Sequence, residues 1–360
     1  MSDQTARLIE QVNAAIADGQ KLNITGAGSK AFMGRETDTR HAAVLDLKDH
    51  TGVVNYQPVE LVLTVRAGTP LDEIDAVLAE HNQMLSFEPP RYAAGATIGG
   101  TLACNQSGPG RPWTSSVRDQ VLGIKLINGK AEHLRFGGQV MKNVAGYDAS
   151  RLQAGAMGTL GAITEVSLKV LPRPAATTTL TQAMPLADAI PFMNQRAAQP
   201  KPLSGACWLD GSLYLRLSGA ASAVDATAHQ WQQQGAQVLD ADSSARFWQQ
   251  LRDHQLDFFA GDAPLWRFSV GPTEPNPDLS GPWLIDWAGA QRWYRGDEAM
   301  SDMERLATRA GGQVSQFRGG DRHGDVMHHQ PAVLRQLQQR LKHAFDPDAL
   351  FNPGRLYSWM

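Results

Sequence analysis

The apolar positions of the first 175 residues fall into short helical runs and short alternating runs, separated by stretches with neither period. Leu8, Ile9, Val12, Ala15 and Ile16 recur at helical spacing and Gly19 follows, which predicts an opening helix over 5–18. The runs LNIT (22–25), VLDL (44–47), ELVLTVRAG (60–68) and AITEVSLKVL (162–171) have the length and alternation of strands. Thr69-Pro70-Leu71-Asp72 reads as a helix start, with Thr69 as N-cap, Pro70 as first helical residue and Leu71, Ile74, Val77 and Leu78 as the buried stripe. QVLGIKLI (120–127) and AEHLRFGG (131–138) flank Asn128-Gly129, which predicts a hairpin on a type I′ turn.

Past Pro172 and Pro174 the texture changes, and most of the tryptophans lie there. Asp210-Gly211 between CWLD and SLYLRL predicts a second hairpin over 207–217. Helices are expected over 222–234, 243–256 and near 298–310, and strands over 265–270, 283–288, 292–296 and 313–318. Without strict βα alternation these predict an α+β unit, an antiparallel sheet covered by helices on one side. After Pro331, Leu334, Leu337, Leu341 and Phe345 predict an amphipathic helix, with Arg340, Lys342 and His343 suiting its C-terminal dipole. The expected division is 1–174, then 175–317, then a segment 318–360 that returns to the first.

Two stretches answer to no secondary-structure period. From Phe87 to Gly123 the chain is nearly bare backbone, with glycines at 95, 99, 100, 108 and 110. Glycine brings entropy cost and no apolar area, so such a stretch suits a main chain pressed against a ligand better than a core. The second opens the region 141–174, with glycines at 146, 155, 158 and 161 leading into the strand that starts at 162. A third, shorter string, GAGSKA (26–31), fits the G-x-G-x-x-A dinucleotide fingerprint, with Asp46 twenty residues after Gly26. That fingerprint requires a following helix, and FMGRETDTRH has no helical apolar period, so the Rossmann reading is rejected. A glycine turn after a strand still offers adjacent N–H groups as an anion nest for a pyrophosphate.

Composition narrows the partners. A net charge of −3 without a basic block points to neither nucleic acid nor an anionic membrane. No apolar run approaches a transmembrane span, and the N-terminus lacks a signal-peptide pattern. Cys104 and Cys207 make no metal or redox spacing, which suits a cytoplasmic protein with free thiols. Trp283, Trp287, Trp293 and Tyr294 read either as a partner surface or as core of the second unit.

Taken in order, TGAGSKA, AAGATIGGTLACNQSG, RDQVLG, KNVAGYD, GAMGTLGAIT and FDPDALFNPGR resemble the vanillyl-alcohol oxidase or PCMH-type FAD-binding superfamily. Within it the likeness is to the FAD-binding E subunits of bacterial glycolate oxidases, dense over 20–174 and the tail, weak over 175–317. The resemblance implies a two-lobed PCMH-type FAD domain with a smaller α+β cap. Gly26, Ala27, Gly28, Ser29 and Lys30 would hold the pyrophosphate through main-chain N–H groups, with no need for a cationic side chain. Gly95, Ala96, Thr97, Gly99, Gly100 and Thr101, then Asn105 and Ser107, would run along diphosphate and isoalloxazine. Gly158, Gly161 and Ile163 would pass the adenine and ribose, and Asn352 would lie near the flavin ring unless it is a turn residue. Covalent attachment in the superfamily uses a His in the first glycine turn or a Cys before the second loop. Neither is present, so FAD is expected to be non-covalent, with Cys104 a small packed residue.

For a small 2-hydroxy acid the site would need an Arg for the carboxylate and a base for the hydroxyl proton. Gly319–Asp325 resembles the late metal motif of larger relatives without its Asn-x-His order, so no metal is expected, although His323, His328 and His329 are nearby. Arg318, Arg322 and His323 are the catalytic candidates. The expected role is one flavoprotein subunit serving glycolate oxidation beside a D-type flavoprotein and an iron–sulfur subunit. Peripheral membrane association, at the inner face of the cytoplasmic membrane, would run through those partners. A stand-alone D-2-hydroxy-acid dehydrogenase and a redox-silent FAD scaffold are the alternatives.

Overall fold

The computed structural model of the chain describes residues 2–38, 40–138 and 148–360. The opening helix, Thr5–Asp18, buries Leu8, Val12 and Ala15 and ends where Gly19 turns to a φ of 63°. A two-stranded parallel sheet follows, Leu22–Thr25 beside Ala43–Asp46. Next comes a five-stranded antiparallel sheet in the order Val53–Gln57, Val62–Arg66, Ala162–Lys169, Val121–Ile127, His133–Gly137. Leu63, Val65, Leu126, Val166 and Leu168 share one core with Leu8, Val12 and the stripe Leu71, Ile74 and Leu78 of helix Leu71–Ala79.

Two turn expectations are corrected. Thr69 is not the N-cap of helix Leu71–Ala79, since Pro70 takes that position. The Thr69 hydroxyl instead donates to Arg66 O at 2.7 Å and accepts from Gly52 N at 2.9 Å. Nor is Asn128-Gly129 a two-residue type I′ turn. The ladder closes at Ile127 opposite His133, Ala131 carries the positive φ of 58°, and Gly129 carries none. Gly129 is needed because the tail passes against it, and a Cβ there would overlap Asp346. The Asp210-Gly211 hairpin does have both residues at positive φ, 45° and 76°.

The largest sheet among the described residues is antiparallel and eight-stranded. Its order is Gln237–Leu239, Ala176–Ala183, Ser212–Gly219, Leu203–Leu209, Trp283–Asp286, Gln291–Arg295, Leu265–Ser269, Gln313–Arg318. Helices Leu186–Ala197, Ala221–Gln232 and Met300–Arg309 cover one face around Trp231, Trp266 and Phe268. Helix Ala241–Asp253 lies on the other, where Phe247, Trp248 and Leu251 join Met33 and Met157 from the glycine-rich half. Strand alternation sorts neighbours to opposite faces: Trp266 and Phe268 face the helices, Leu265 and Trp293 face the glycine-rich half. Trp283, Trp287, Trp293 and Tyr294 are all buried, so the partner-surface reading of these aromatics fails.

The tail is tied down by a buried ion pair. Lys342 Nζ donates to Asp346 Oδ2 (2.7 Å), Thr159 O (2.6 Å) and Phe351 O (3.0 Å). Asp346 also accepts from the Leu350 and Phe351 amides, both at 2.8 Å. Lys342 therefore anchors the chain end to the second glycine loop rather than only neutralising a helix dipole. On the same helix, Ala332–Phe345, Leu334 and Leu337 are exposed, contrary to the stripe predicted for them.

Candidate functional site

Strand Leu22–Thr25 ends at the turn 26–30, where Gly28 takes a φ of 73° and no helix follows. The amides of Gly26, Ala27, Gly28, Ser29 and Lys30 donate to no described residue, so five adjacent N–H groups are left for a guest. Unpaired donors of this kind form an anion nest. Thr97 caps helix Ile98–Ala103 by accepting from Gly100 N at 3.2 Å. Gly99 in that helix is packed so closely that a Cβ would sit 2.8 Å from Ala67 O. Gly158, at a φ of 75°, abuts Asn352, whose Nδ2 would lie 2.6 Å from an added Cβ.

These segments converge on one cleft. Gly26, Ala27, Gly28, Ser29, Lys30, Thr97, Gly99, Gly100, Gly158, Gly161, Ile163 and Asn352 all line it. Gly95, Ala96, Thr101 and Ser107 do not: they build the wall from behind. A Cβ on Gly95 would pack 3.6 Å from Ala27, Thr101 Oγ1 donates to Thr97 O at 3.0 Å, and Ser107 Oγ accepts from Val117 N at 3.0 Å. Asn352 joins two walls, its Oδ1 accepting from Ile24 N (2.8 Å) and its Nδ2 donating to Met157 O (2.7 Å). Lys142–Tyr147 of the KNVAGYD string lie outside the described residues. The cleft also takes in Cys104, expected as a small packed residue, and Ala67, Ala103, Met157 and Arg355, which sequence reasoning did not single out. Burial raises the Cys104 thiol's pKa, with Lys30 and Arg355 opposing, so the thiol form is favoured.

Cys104 and Met157 are shared with a second cavity of about 330 Å³ that opens toward the eight-stranded sheet. Arg111, Arg267 and Arg322 line it, with His328, Gln316 and Trp287. Arg267 donates through Nε to Gln291 Oε1 at 2.7 Å and stacks on Trp287 and Trp293, at 5.3 and 5.8 Å from the ring centroids. Burial pulls its pKa down to about 10. Arg111 sits 4.6 Å from the Trp287 centroid, so two guanidinium groups share one indole. No Asp or Glu lines this chamber among the described residues. The Asn105 Oδ1 on its wall is buried without a partner. Val314 N–H donates to His328 Nδ1 at 3.3 Å, which leaves Nε2 carrying the proton of a neutral ring.

The catalytic candidates separate. Arg322 reaches the chamber, held by Gly34 O at 3.0 Å and Gln316 O at 2.9 Å. Arg318 stacks on Phe32 at 4.3 Å, in an aromatic cluster with Tyr92 and Phe317 beside the chamber. His323 is exposed, its amide on Asp321 Oδ1 at 2.9 Å, and is not brought to the chamber. No group of three or more His, Cys, Asp or Glu residues is placed to hold a metal among the described residues. Arg267 was missed because its strand, Leu265–Ser269, has a pattern explained by packing alone, and Arg111 because the 87–123 stretch was read for its main chain rather than its side chains.

The family described as FAD binding domain matches residues 2–137. The chain is 45% identical over 357 residues to the glycolate oxidase subunit GlcE of Escherichia coli (strain K12), covering 99% of this chain and 98% of that protein. It is 29% identical to the glycolate oxidase subunit GlcD of Bacillus subtilis (strain 168) over 50% of this chain and 37% of that one. The solved structure of p-cresol methylhydroxylase with substrate bound superposes with a TM-score of 0.75 at 14% identity, covering 99% of this chain and 87% of that one, a likeness of fold. An end-to-end match at that identity, over a chain whose N-terminal part is an FAD binding domain, means that this protein belongs to the GlcE family of glycolate oxidase subunits, FAD-dependent oxidoreductases of the PCMH-type fold.

Proposed function

We propose that the chain is the FAD-binding subunit of a glycolate oxidase, taking part in the oxidation of glycolate to glyoxylate and passing electrons through FAD to partner subunits. The observation that carries this is the glycine-walled cleft with five free amides, in a chain matched throughout by a glycolate oxidase subunit. The partners would be a D-type flavoprotein and an iron–sulfur subunit. Peripheral membrane association would run through those partners; no helix among the described residues is long and apolar enough to cross a membrane.

FAD fits the residues present. The 26–30 amides would hold its diphosphate, and Gly28, with nothing within 4 Å of an added Cβ, keeps a side chain out of its path. With no His among the described residues that line the cleft and Cys104 held as the thiol, the cofactor would be bound non-covalently. Bound flavin supplies the two-electron chemistry, and the chain supplies orientation and electrostatics. In the adjoining chamber Arg267 can hold a small carboxylate, and His328 Nε2–H can donate to it.

The same chamber favours a subunit that relies on its partner over a stand-alone dehydrogenase. Hydroxyl oxidation needs a group to accept the hydroxyl proton. Among the described lining residues there is no carboxylate, and the Nδ1 lone pair of His328 is engaged by Val314. Anaerobic titration of the FAD-loaded chain with glycolate, alone and then with a D-type subunit, tests this. Unchanged flavin bands alone and bleaching with the partner are expected. Bleaching by the isolated chain would favour the stand-alone reading, and failure to bind FAD would sink both.

A further inference from the structure

Among the described residues, Lys30 is a buried cation without an anion. It is 5% exposed, and its side-chain polar contact among the described residues is Ser29 Oγ at 3.4 Å. Its ammonium otherwise lies 5.8 Å from the Tyr92 ring centroid. Asp253, the carboxylate whose charge acts on Lys30, is occupied: Arg91 N (3.0 Å) and Arg252 Nε (2.9 Å) reach Oδ1, and Arg252 Nη2 (2.7 Å) reaches Oδ2. The cleft that Lys30 lines contains Arg355 as a second cation and no Asp or Glu among the described residues. Chains rarely keep an unpaired charge out of water, because the desolvation cost is met only by a partner.

We propose that the Lys30 side chain is the counter-charge of the cofactor's diphosphate, so that a residue which destabilises the empty chain stabilises the loaded one. This rests on the FAD reading above and departs from the expectation that main-chain N–H groups suffice. The diphosphate is the anion chosen because it is charged in every redox state, whereas the oxidised ring is neutral. Lys30 also stands at the last position of the free-amide turn, where a group gripped by those amides would come within its reach. Burial pulls its pKa down, as an uncompensated ammonium requires, with Cys104 and Asp253 opposing and Arg91 assisting.

The test compares Lys30→Met, Lys30→Gln and Lys30→Arg with the parent, as flavin-stripped and as FAD-loaded protein. Two quantities are read: the melting temperature of the stripped chain, and the dissociation constants of oxidised FAD and of ADP. For Lys30→Met and Lys30→Gln the stripped chain should melt at the same temperature or higher, while FAD and ADP both bind about tenfold or more weakly. Lys30→Arg should stay within a few-fold of the parent. A stripped Lys30→Gln chain that melts several degrees lower would make Lys30 an ordinary packing residue and overturn the proposal. Unchanged FAD affinity would overturn it too, as would loss confined to FAD with ADP unaffected. A parent chain that binds neither nucleotide would instead sink the FAD reading itself.

Discussion

Two glycines in this cleft that look alike in the sequence have opposite jobs. Gly99 is enclosed by Ala67, so Gly99→Ala should strain the fold and lower stability by about 1–3 kcal/mol in denaturant titrations. Gly28 has nothing within 4 Å of an added Cβ and a φ of 73°. Gly28→Ala should therefore cost only about 1–2 kcal/mol of backbone strain while its methyl intrudes on the guest, so FAD affinity falls more than stability does. A second residue-scale prediction concerns Asp286. Burial raises its pKa from an ordinary 3.8 to about 7, opposed by the Trp287 N–H and aided by Glu88. A carboxyl whose pKa is higher folded than unfolded favours folding at low pH, and that contribution is lost as pH rises from about 4 to about 7. Asp286→Asn should accordingly gain stability over the parent at pH 8 and lose that advantage near pH 4, in urea titrations run at both. If the two chains ran parallel across that range, Asp286 would be ionised throughout.

At the scale of elements, what the sequence made legible was whatever had a local cause. The opening helix, the Asp210-Gly211 hairpin and the long strand Ala162–Lys169 each carry their own period or turn residues. Strand Val53–Gln57 escaped because it is an edge strand with polar positions inside it, and Ala176–Ala183 because its threonines do not alternate with apolar residues. Helix Leu186–Ala197 carries Pro191, which argues against a helix until its packed face of Ala189, Ile190 and Met193 is seen. The Gly129 and Lys342 roles were illegible for a different reason: both come from a contact between segments two hundred residues apart. Lys342 joins the tail helix to Thr159 O on the second glycine loop, so Lys342→Met should leave Asp346 buried without its cation. A loss of about 3–5 kcal/mol is expected. The double variant Lys342→Met, Asp346→Asn should recover part of it, since the uncompensated charge goes too. A single variant as stable as the parent would show that the pair does not fasten the tail.

Over the whole molecule, charge is distributed against the average. The chain is net negative, at −3, yet the cleft and chamber are lined by Lys30, Arg355, Arg111, Arg267 and Arg322 with no Asp or Glu among the described residues. Low-dielectric walls concentrate such a field inside the cavity, and small anions are drawn to it. Of the chamber cations, Arg322 is spent on carbonyl groups of the wall, while among the described residues only Nε of Arg267 is bonded, so its two terminal nitrogens remain for a ligand. Planar guanidinium groups bind carboxylates through two parallel N–H bonds. The FAD-loaded chain should therefore show a saturable change in flavin absorbance with glycolate or oxalate, without reduction. Arg267→Gln should weaken that binding by roughly tenfold or more, the worth of one charge-assisted contact. Because Arg267 stands on the sheet and the cofactor's amides stand on the 26–30 turn, the variant should leave FAD affinity within a few-fold of the parent. If Arg267→Gln released FAD instead, the chamber would belong to the cofactor, and the carboxylate would have to bind elsewhere.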